Sequence, residues 1–462
     1  MKHMPTETAF KYLNEVRFTA LSNWSVGAIL SDKVLYKDGF KLEPIGNLII
    51  RNREKEILED DKAYKQVTIK LYGKGVVQRG DELIFGKDIG TKNQFRISVG
   101  QFIMSKIDAR NGAFGIVPPE LEGAITTQDF LSYNINTEKI LPEFFNLITG
   151  TKHFAELCQK ASSGTTGRQR VDEKAFLGFR IPVPTKDIQD KIIRSFNVKI
   201  RKAELAKMEA DTLLEIIEKE MCEFTGIKKL DTSESSDRFR ILQYKNFNKW
   251  SVNYLKRKSS YSLSNAKFPL VSIKELVKSF EGGSTPSKIR KEYWLGGTIN
   301  WVSPKDMKTL NISNSIDLIT SDAVNKNKLT IHPQGTILAV FRSGILQHSF
   351  PVSITTIPVT INQDLKAMDL QPHVDKMYFV YFLRVFQKLI LEECSKTGVT
   401  VESINSHEFL DFKIVLPPQE GQNQIVKRIS ELITKKVDLE SLEQSLYSEA
   451  QNEFESAIFN ID

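Results

Sequence analysis

The residues best suited to chemistry in this 462-residue chain are hydrogen-bond donors grouped in glycine-containing loops. Ser162-Ser163-Gly164-Thr165-Thr166-Gly167-Arg168-Gln169-Arg170 sets hydroxyls and backbone N–H groups beside the guanidinium groups of Arg168 and Arg170. Gly282-Gly283-Ser284-Thr285-Pro286-Ser287-Lys288-Ile289-Arg290-Lys291 repeats that composition. Tyr72-Gly73-Lys74-Gly75 and Arg79, then Lys87, Lys92 and Arg96, interleave basic and aromatic residues with glycine turns. Arg342-Ser343-Gly344 is a shorter version, and Lys106, Arg110 and Lys305 add further cations. Such groups donate to phosphate oxygens. Arg and Gln also suit bidentate contacts with purine edges in a major groove. The chemistry implied is non-covalent capture of a polyanion, although each loop taken singly reads equally well as a solvated turn.

Bond-making chemistry has no comparable signature. Gly80 to Gly86-Lys87-Asp88 resembles a phosphate loop only loosely, because the spacing is wrong and Asp stands where a metal-binding hydroxyl belongs. The six His residues form no His-x-x-x-His or His/Cys cluster, so no metal site is expected. There is no Gly-x-Ser-x-Gly, no Gly-x-Gly-x-x-Gly and no Asn-Pro or Asp-Pro-Pro motif of an amino-methyltransferase. Cys158, Cys222 and Cys394 are scattered, and core packing is their expected role.

The elements that must carry the loops follow from an internal repeat. Trp24-Ser25-Val26 recurs as Trp250-Ser251-Val252. Thr127-Gln128-Asp129 faces Asn362-Gln363-Asp364, Cys158 faces Cys394, and Phe179-Arg180-Ile181-Pro182-Val183-Pro184 faces Phe412-Lys413-Ile414-Val415-Leu416-Pro417. Gln189 and Ile192 then face Gln422 and Ile425. The order is kept at a period of about 235 residues, which marks a duplication. Equivalent basic loops in both halves favour DNA over solvated turns.

Each half reads as short strands and a helix, followed by a long helix. Gln66–Leu71, Asp81–Phe85, Gln101–Ile107, Asn300–Val302, Gly335–Phe341 and Ser353–Val359 are expected strands. Pro142–Lys160 and Val374–Glu393 are expected helices, with another over Thr6–Leu21. Lys186–Phe224 has no Pro or Gly and carries a heptad stripe through Ile193, Phe196, Ile200, Ala203, Lys207, Ala210, Leu214, Ile217, Met221 and Phe224. Gly226 is placed to end it. The repeat supplies Gln419–Phe459 as its partner, with Leu439, Leu442 and Leu446 suggesting a seam that rotates midway. Chain order requires the pair to be antiparallel, with an approximate two-fold axis across it. Forty helical residues span roughly 60 Å, a ruler between two halves. Lys207 and its repeat equivalent Glu440 are expected to meet near that axis. The fold class expected is α+β: two tandem mixed α/β domains separated by long helices that form a pseudo-two-fold antiparallel coiled coil. The boundaries are an arm at 1–23, domains at 24–185 and 227–413, and helices at 186–226 and 414–462. Residues 225–249 read as an exposed polar linker.

Composition agrees with a globular protein: 40% hydrophobic, 26% charged and a net charge of +7. Mild basicity admits a polyanion partner without requiring one. No leader-like N-terminus or spanning apolar run is evident, so a cytoplasmic location is expected.

These features resemble the specificity (S) subunit of type I restriction-modification systems, over roughly Trp24 to the C-terminus. The resemblance rests on Gly282-Gly283-Ser284-Thr285-Pro286-Ser287 with Glu292-Tyr293-Trp294-Leu295-Gly296-Gly297-Thr298-Ile299-Asn300-Trp301-Val302-Ser303, which looks like the start of a target recognition domain. Val99 to Asp108 with Thr126-Thr127-Gln128-Asp129-Phe130, Ser163-Gly164-Thr165-Thr166-Gly167-Arg168, and Leu416-Pro417-Pro418-Gln419-Glu420 also fit. The family often shows Pro-Pro-x-x-Glu-Gln before each helix; here only Pro184 with Gln189, and Pro417-Pro418 with Gln422, remain of it. The resemblance implies a non-catalytic chain whose two recognition domains each read half of a bipartite double-stranded DNA site. It implies helices that set the gap and dock two methyltransferase (M) subunits, with motor-nuclease (R) subunits joining. S-adenosylmethionine, ATP and Mg would be bound by those partners and none by this chain. Alternatives are the specificity subunit of a fused restriction-methylation or methylation-only system, a self-contained enzyme, or a coiled-coil scaffold for proteins.

Overall fold

The stripe beginning at Ile193 produces a helix of 40 residues, Lys186–Thr225, and its repeat produces a second of 40 residues, Gln419–Ile458. Gly226 stops the first in the left-handed region, at φ 79°, with its N–H on the Cys222 carbonyl at 2.9 Å. A Cβ there would lie 2.3 Å from the Asn265 carbonyl oxygen, so glycine is required twice over. The computed structural model describes residues 36–71, 75–163, 170–230, 259–396 and 401–460. The expected helix at Thr6–Leu21, the Trp24 and Trp250 tripeptides, and the site residues Tyr72, Lys74, Thr165, Thr166 and Arg168 lie outside them.

The chain forms two units, one from Met1–Leu205 with Leu442–Asp462, the other from Ala206–Ser441. Each long helix therefore contributes to both. In the second unit Glu209 pairs with Lys435 at 2.6 Å and Glu220 with Arg428 at 2.7 Å, so the helices run antiparallel. In the first, Ser195 Oγ donates to Glu453 at 2.6 Å and Lys199 forms an ion pair with the same carboxylate.

The seam is phased differently from the expected one. Ala203, Ala206, Ala210, Leu213, Ile217 and Met221 are buried, whereas Leu214 is 53% exposed and Lys207 is exposed. Among the described residues no ion pair joins Lys207 to Glu440; Glu440 is paired with Lys436 one turn earlier. Ala203, Ala210 and Ile217 belong to both phases, and packing buries Ala206 and Leu213 at the alternate positions in place of Lys207 and Leu214. On the second helix the stripe passes through Ile425, Ile429 and Leu432 to Ala450, Phe454 and Ile458, and Leu442 faces out.

In the first unit a four-stranded antiparallel sheet has the order Phe114–Ile116, Phe102–Ser105, Phe130–Ile135, Ile49–Arg51. In the second the order is Asn311–Ile312, Val352–Thr355, Ile337–Val340, Leu365–Leu370, Val277–Gly282. The repeat is thus visible as a common strand order, with one parallel strand added at the edge of the second sheet. The central strands Phe102–Ser105 and Ile337–Val340 are buried throughout. Some strands are shorter than expected: only Ile84–Phe85 forms from Asp81–Phe85, where Gly80 turns at φ 77° and Asp81 and Glu82 are exposed. The expected helix Pro142–Lys160 is split into Pro142–Thr149 and Lys152–Lys160, where Thr151 Oγ1 accepts from Phe154 N–H and caps a new helix. Val374–Glu393 splits likewise, into Lys376–Val385 and Gln387–Cys394. At the start of the expected linker Lys228–Lys229 forms a strand that pairs with Tyr261–Ser262.

Each long helix is rooted by the same buried glutamine. Gln189 accepts from Leu141 N–H at 2.8 Å and donates to the carbonyls of Pro184 at 2.8 Å and Lys139 at 3.1 Å. Gln422 accepts from Asp375 N–H at 2.7 Å and donates to Pro417 at 2.9 Å and His373 at 3.2 Å. Both are essentially without exposure. Cys158 and Cys394 are buried in the two cores, where burial pushes the Cys158 thiol well above its usual range.

Candidate nucleic-acid interface

In the second unit the loop after Gly282 is built against the sheet by its own backbone. A Cβ on Gly283 would meet the Ile361 carbonyl oxygen at 1.9 Å, so only glycine permits this approach. Ser284 and Ser287 carbonyls accept from the indole N–H groups of Trp301 at 3.2 Å and Trp294 at 3.1 Å. The two indoles pack edge to face at 5.1 Å. Exposed side chains are fixed on this base. Lys288 lies over the Trp294 ring at 5.9 Å, and Arg290 donates to the Tyr293 hydroxyl at 2.9 Å. Lys288, Lys291, Trp294, Leu295 and Asp317 line a cleft of about 390 Å³, and Asp317 holds Lys305 at 2.8 Å.

A second group meets beside this loop. Thr285 Oγ1 bonds Gln363 Oε1 at 2.5 Å, and the next residue, Asp364, holds Arg342 Nε at 2.6 Å. Ser343 caps the short turn Gly344–Gln347. Ser284, Thr285, Ser287, Lys288, Arg290, Lys305, Arg342 and Ser343 therefore belong to two adjoining clusters of one unit. Their partners Gln363, Asp364, Trp294 and Trp301 were not among the expected binding residues. The repeat had already matched Gln363-Asp364 to Gln128-Asp129, which is the signal that could have found them.

The first unit disperses its expected residues. Arg96 is held by Glu56 at 2.7 Å, and that hydrogen bond raises the guanidinium above its usual range. Lys92 donates to the Gly86 carbonyl at 2.8 Å. Lys87 sits over the Phe85 ring at 5.7 Å, and Arg79 is exposed. Arg110 lines a cleft of about 400 Å³ with Thr151 and Lys152. Lys106 receives a backbone bond at its carbonyl from Val171 and gives one to Asp129. Arg170 pairs with Asp129 at 3.1 Å. Asp129 and Asp364 are repeat equivalents, so each unit sets one arginine against the same carboxylate. The arginines come from different places in the repeat, Arg170 from the strand Arg170–Val171 in one unit and Arg342 from just after the strand Ile337–Val340 in the other. In the second unit Arg342 bridges to Ser403, the counterpart of Arg170.

These are devices for donating hydrogen bonds and positive charge from fixed positions. Among the described residues no cluster of His, Cys, Asp and Glu suits a metal ion, and no helix is long and apolar enough to cross a membrane.

Residues 265–445 match the family model of the type I restriction modification DNA specificity domain. The chain is 33% identical over 189 residues to the type I restriction enzyme EcoR124I/EcoR124II specificity subunit of Escherichia coli, covering 41% of this chain and 46% of that one. It is 34% identical over 155 residues to the type I restriction enzyme MjaIX specificity subunit of Methanocaldococcus jannaschii, covering 32% of this chain and 34% of that one. The matched segments thus span less than half the length of either relative. The fold is that of a solved structure described as the structural basis of complex assembly and conformational transition of the type I R-M system. The TM-score is 0.55 at 14% identity, over 92% of this chain and 98% of the other.

Proposed function

We propose that this chain, which carries a type I restriction modification DNA specificity domain, is a DNA-reading specificity subunit of a type I restriction-modification complex. Each unit reads one half of a bipartite double-stranded site, and the long helices set the unread gap. The observation that carries the reading is the duplicated frame. Two units share one strand order and one glutamine root, and each fixes an arginine against the equivalent Asp129 or Asp364. Two similar heads with different surface residues suit an asymmetric two-part target. In the second unit Lys288, Arg290 and Thr285 stand on a rigid tryptophan-backed loop, where donors hold their positions before DNA arrives.

The chain itself is non-catalytic in this reading. Two methyltransferase subunits supply methyl transfer from S-adenosylmethionine to adenine. Motor-nuclease subunits supply cleavage driven by ATP and Mg. Mapping methylated adenines in cells that express this chain with its methyltransferase partner tests the proposal. Two short motifs at a fixed separation are expected, and a single uninterrupted motif would overturn the two-head reading.

A further inference from the structure

We infer that the pocket between the Gly282-Gly283-Ser284 turn and the Lys328–His332 segment is a phosphate-binding site. Its volume is about 180 Å³, and its lining includes Gly282, Gly283, Ser284, Lys328, Thr330 and His332. His332 is 6% exposed, and its backbone is locked to Val359 by bonds of 2.8 and 3.0 Å. Its ring nitrogen Nε2 is buried and has no partner among the described residues. A buried polar atom left so costs roughly 1–3 kcal/mol, and native proteins seldom tolerate that without a use. Burial holds the imidazole below its usual range, against the opposing field of Glu281, which favours the neutral ring; in the Nε2–H tautomer that buried nitrogen is a donor.

The rim supplies what a neutral donor lacks. Lys328 follows the helix Ser321–Asn327 and has φ 51°, the one positive φ at a non-glycine among the described residues. Such a conformation is uncommon and costs about 1–3 kcal/mol outside glycine. Lys328 lines the pocket and is exposed, so its ammonium can reach a ligand held there. Ser284 adds a hydroxyl and the two glycines bring backbone close. Ammonium, hydroxyl and imidazole N–H match a tetrahedral oxyanion. Glu281, on the adjoining strand and exposed, is the carboxylate that opposes it. The inference rests on the DNA reading for the source of the phosphate, which we take to be the DNA backbone. A free phosphate has the same chemistry.

The test uses the full chain with its histidine rings labelled for magnetic resonance, and His332→Gln identifies the relevant signal. Inorganic phosphate and a duplex carrying the mapped site are titrated separately, while gel retardation reports duplex binding. The His332 signal is expected to move with both. Lys328→Gly relaxes the backbone while removing the ammonium, so it is expected to fold at least as well and bind phosphate about tenfold more weakly. A duplex that binds while phosphate and duplex both leave the signal still would overturn the pocket and spare the DNA reading. A signal that moves with phosphate, with no duplex bound, would uphold the pocket and overturn that reading. A signal that moves with phosphate alone, although duplex binds, would overturn the DNA backbone as the source.

Discussion

Gln189 and Gln422 show how much can hang on one side chain. Each satisfies one backbone N–H and two carbonyls at a place where water does not reach. Gln422→Leu keeps the bulk and strands those groups, at roughly 1–3 kcal/mol for each that finds no new partner. We expect a loss of about 2–4 kcal/mol in urea unfolding of the second unit's transition, and a similar loss in the first unit's transition for Gln189→Leu. A change within error for both would mean that water replaces the amide. The repeat aligned these glutamines in the sequence, but their role was hidden because every partner is main chain. The same limit applies to charge. Arg96, Arg170, Arg342 and Lys305 read as free cations, yet each meets a carboxylate that folding brings from a distant strand or turn. Lys288 and Arg290 kept their exposed character because a short turn next to two tryptophans fixes them locally.

The long helices were the most legible elements, since Pro, Gly and an apolar period of three to four residues are all local signals. Their expected limits, Lys186–Phe224 and Gln419–Phe459, fall within one residue of the observed ends. The phase of the seam was less legible. Between Ala203 and Ala210 both Ala206 and Lys207 satisfy a helical period, and only packing chooses between them. Cross-helix charge pairs, Glu220 with Arg428 and Glu209 with Lys435, match the register that this packing gives. A Glu220→Arg and Arg428→Glu exchange is expected to recover most of the small loss caused by either change alone. A double variant no better than the singles, in thermal unfolding, would remove this pair from the register. The Lys199 hydrogen bond and then that of Ser195 hold the Glu453 carboxylate below its usual range. A depressed carboxylate stabilises the folded state fully above its unfolded pKa of about 4.3, and that contribution fades as pH falls through the lower folded value. Lys199→Met should therefore reduce stability at neutral pH and leave it almost unchanged at the acid extreme. An equal loss at both ends would assign the effect to packing.

At the scale of the molecule, one sequence is folded twice on a common plan and then given different edges. The plan was legible because equivalent residues kept their order. The edges were not, because the added parallel strand Asn311–Ile312 and the tryptophan-backed loop depend on pairings that no periodicity announces. If the helices set the gap in the DNA site, inserting about one turn, four residues, within residues 202–212 should change the spacing between methylated half-sites and leave both half-site sequences unchanged. Altered half-sites would place base reading in the helices. The way the units draw on the chain has a further effect, on the order in which they are made. Residues 206–441 are contiguous, so the second unit is whole as soon as that stretch has left the ribosome. The first unit must wait, because Phe454, Ile458 and Phe459 complete its core and Ile458 accepts the backbone bond of Lys37. The half translated first is thus the half finished last. Its apolar face stays open through the synthesis of the other, so it is exposed longest to non-native contacts.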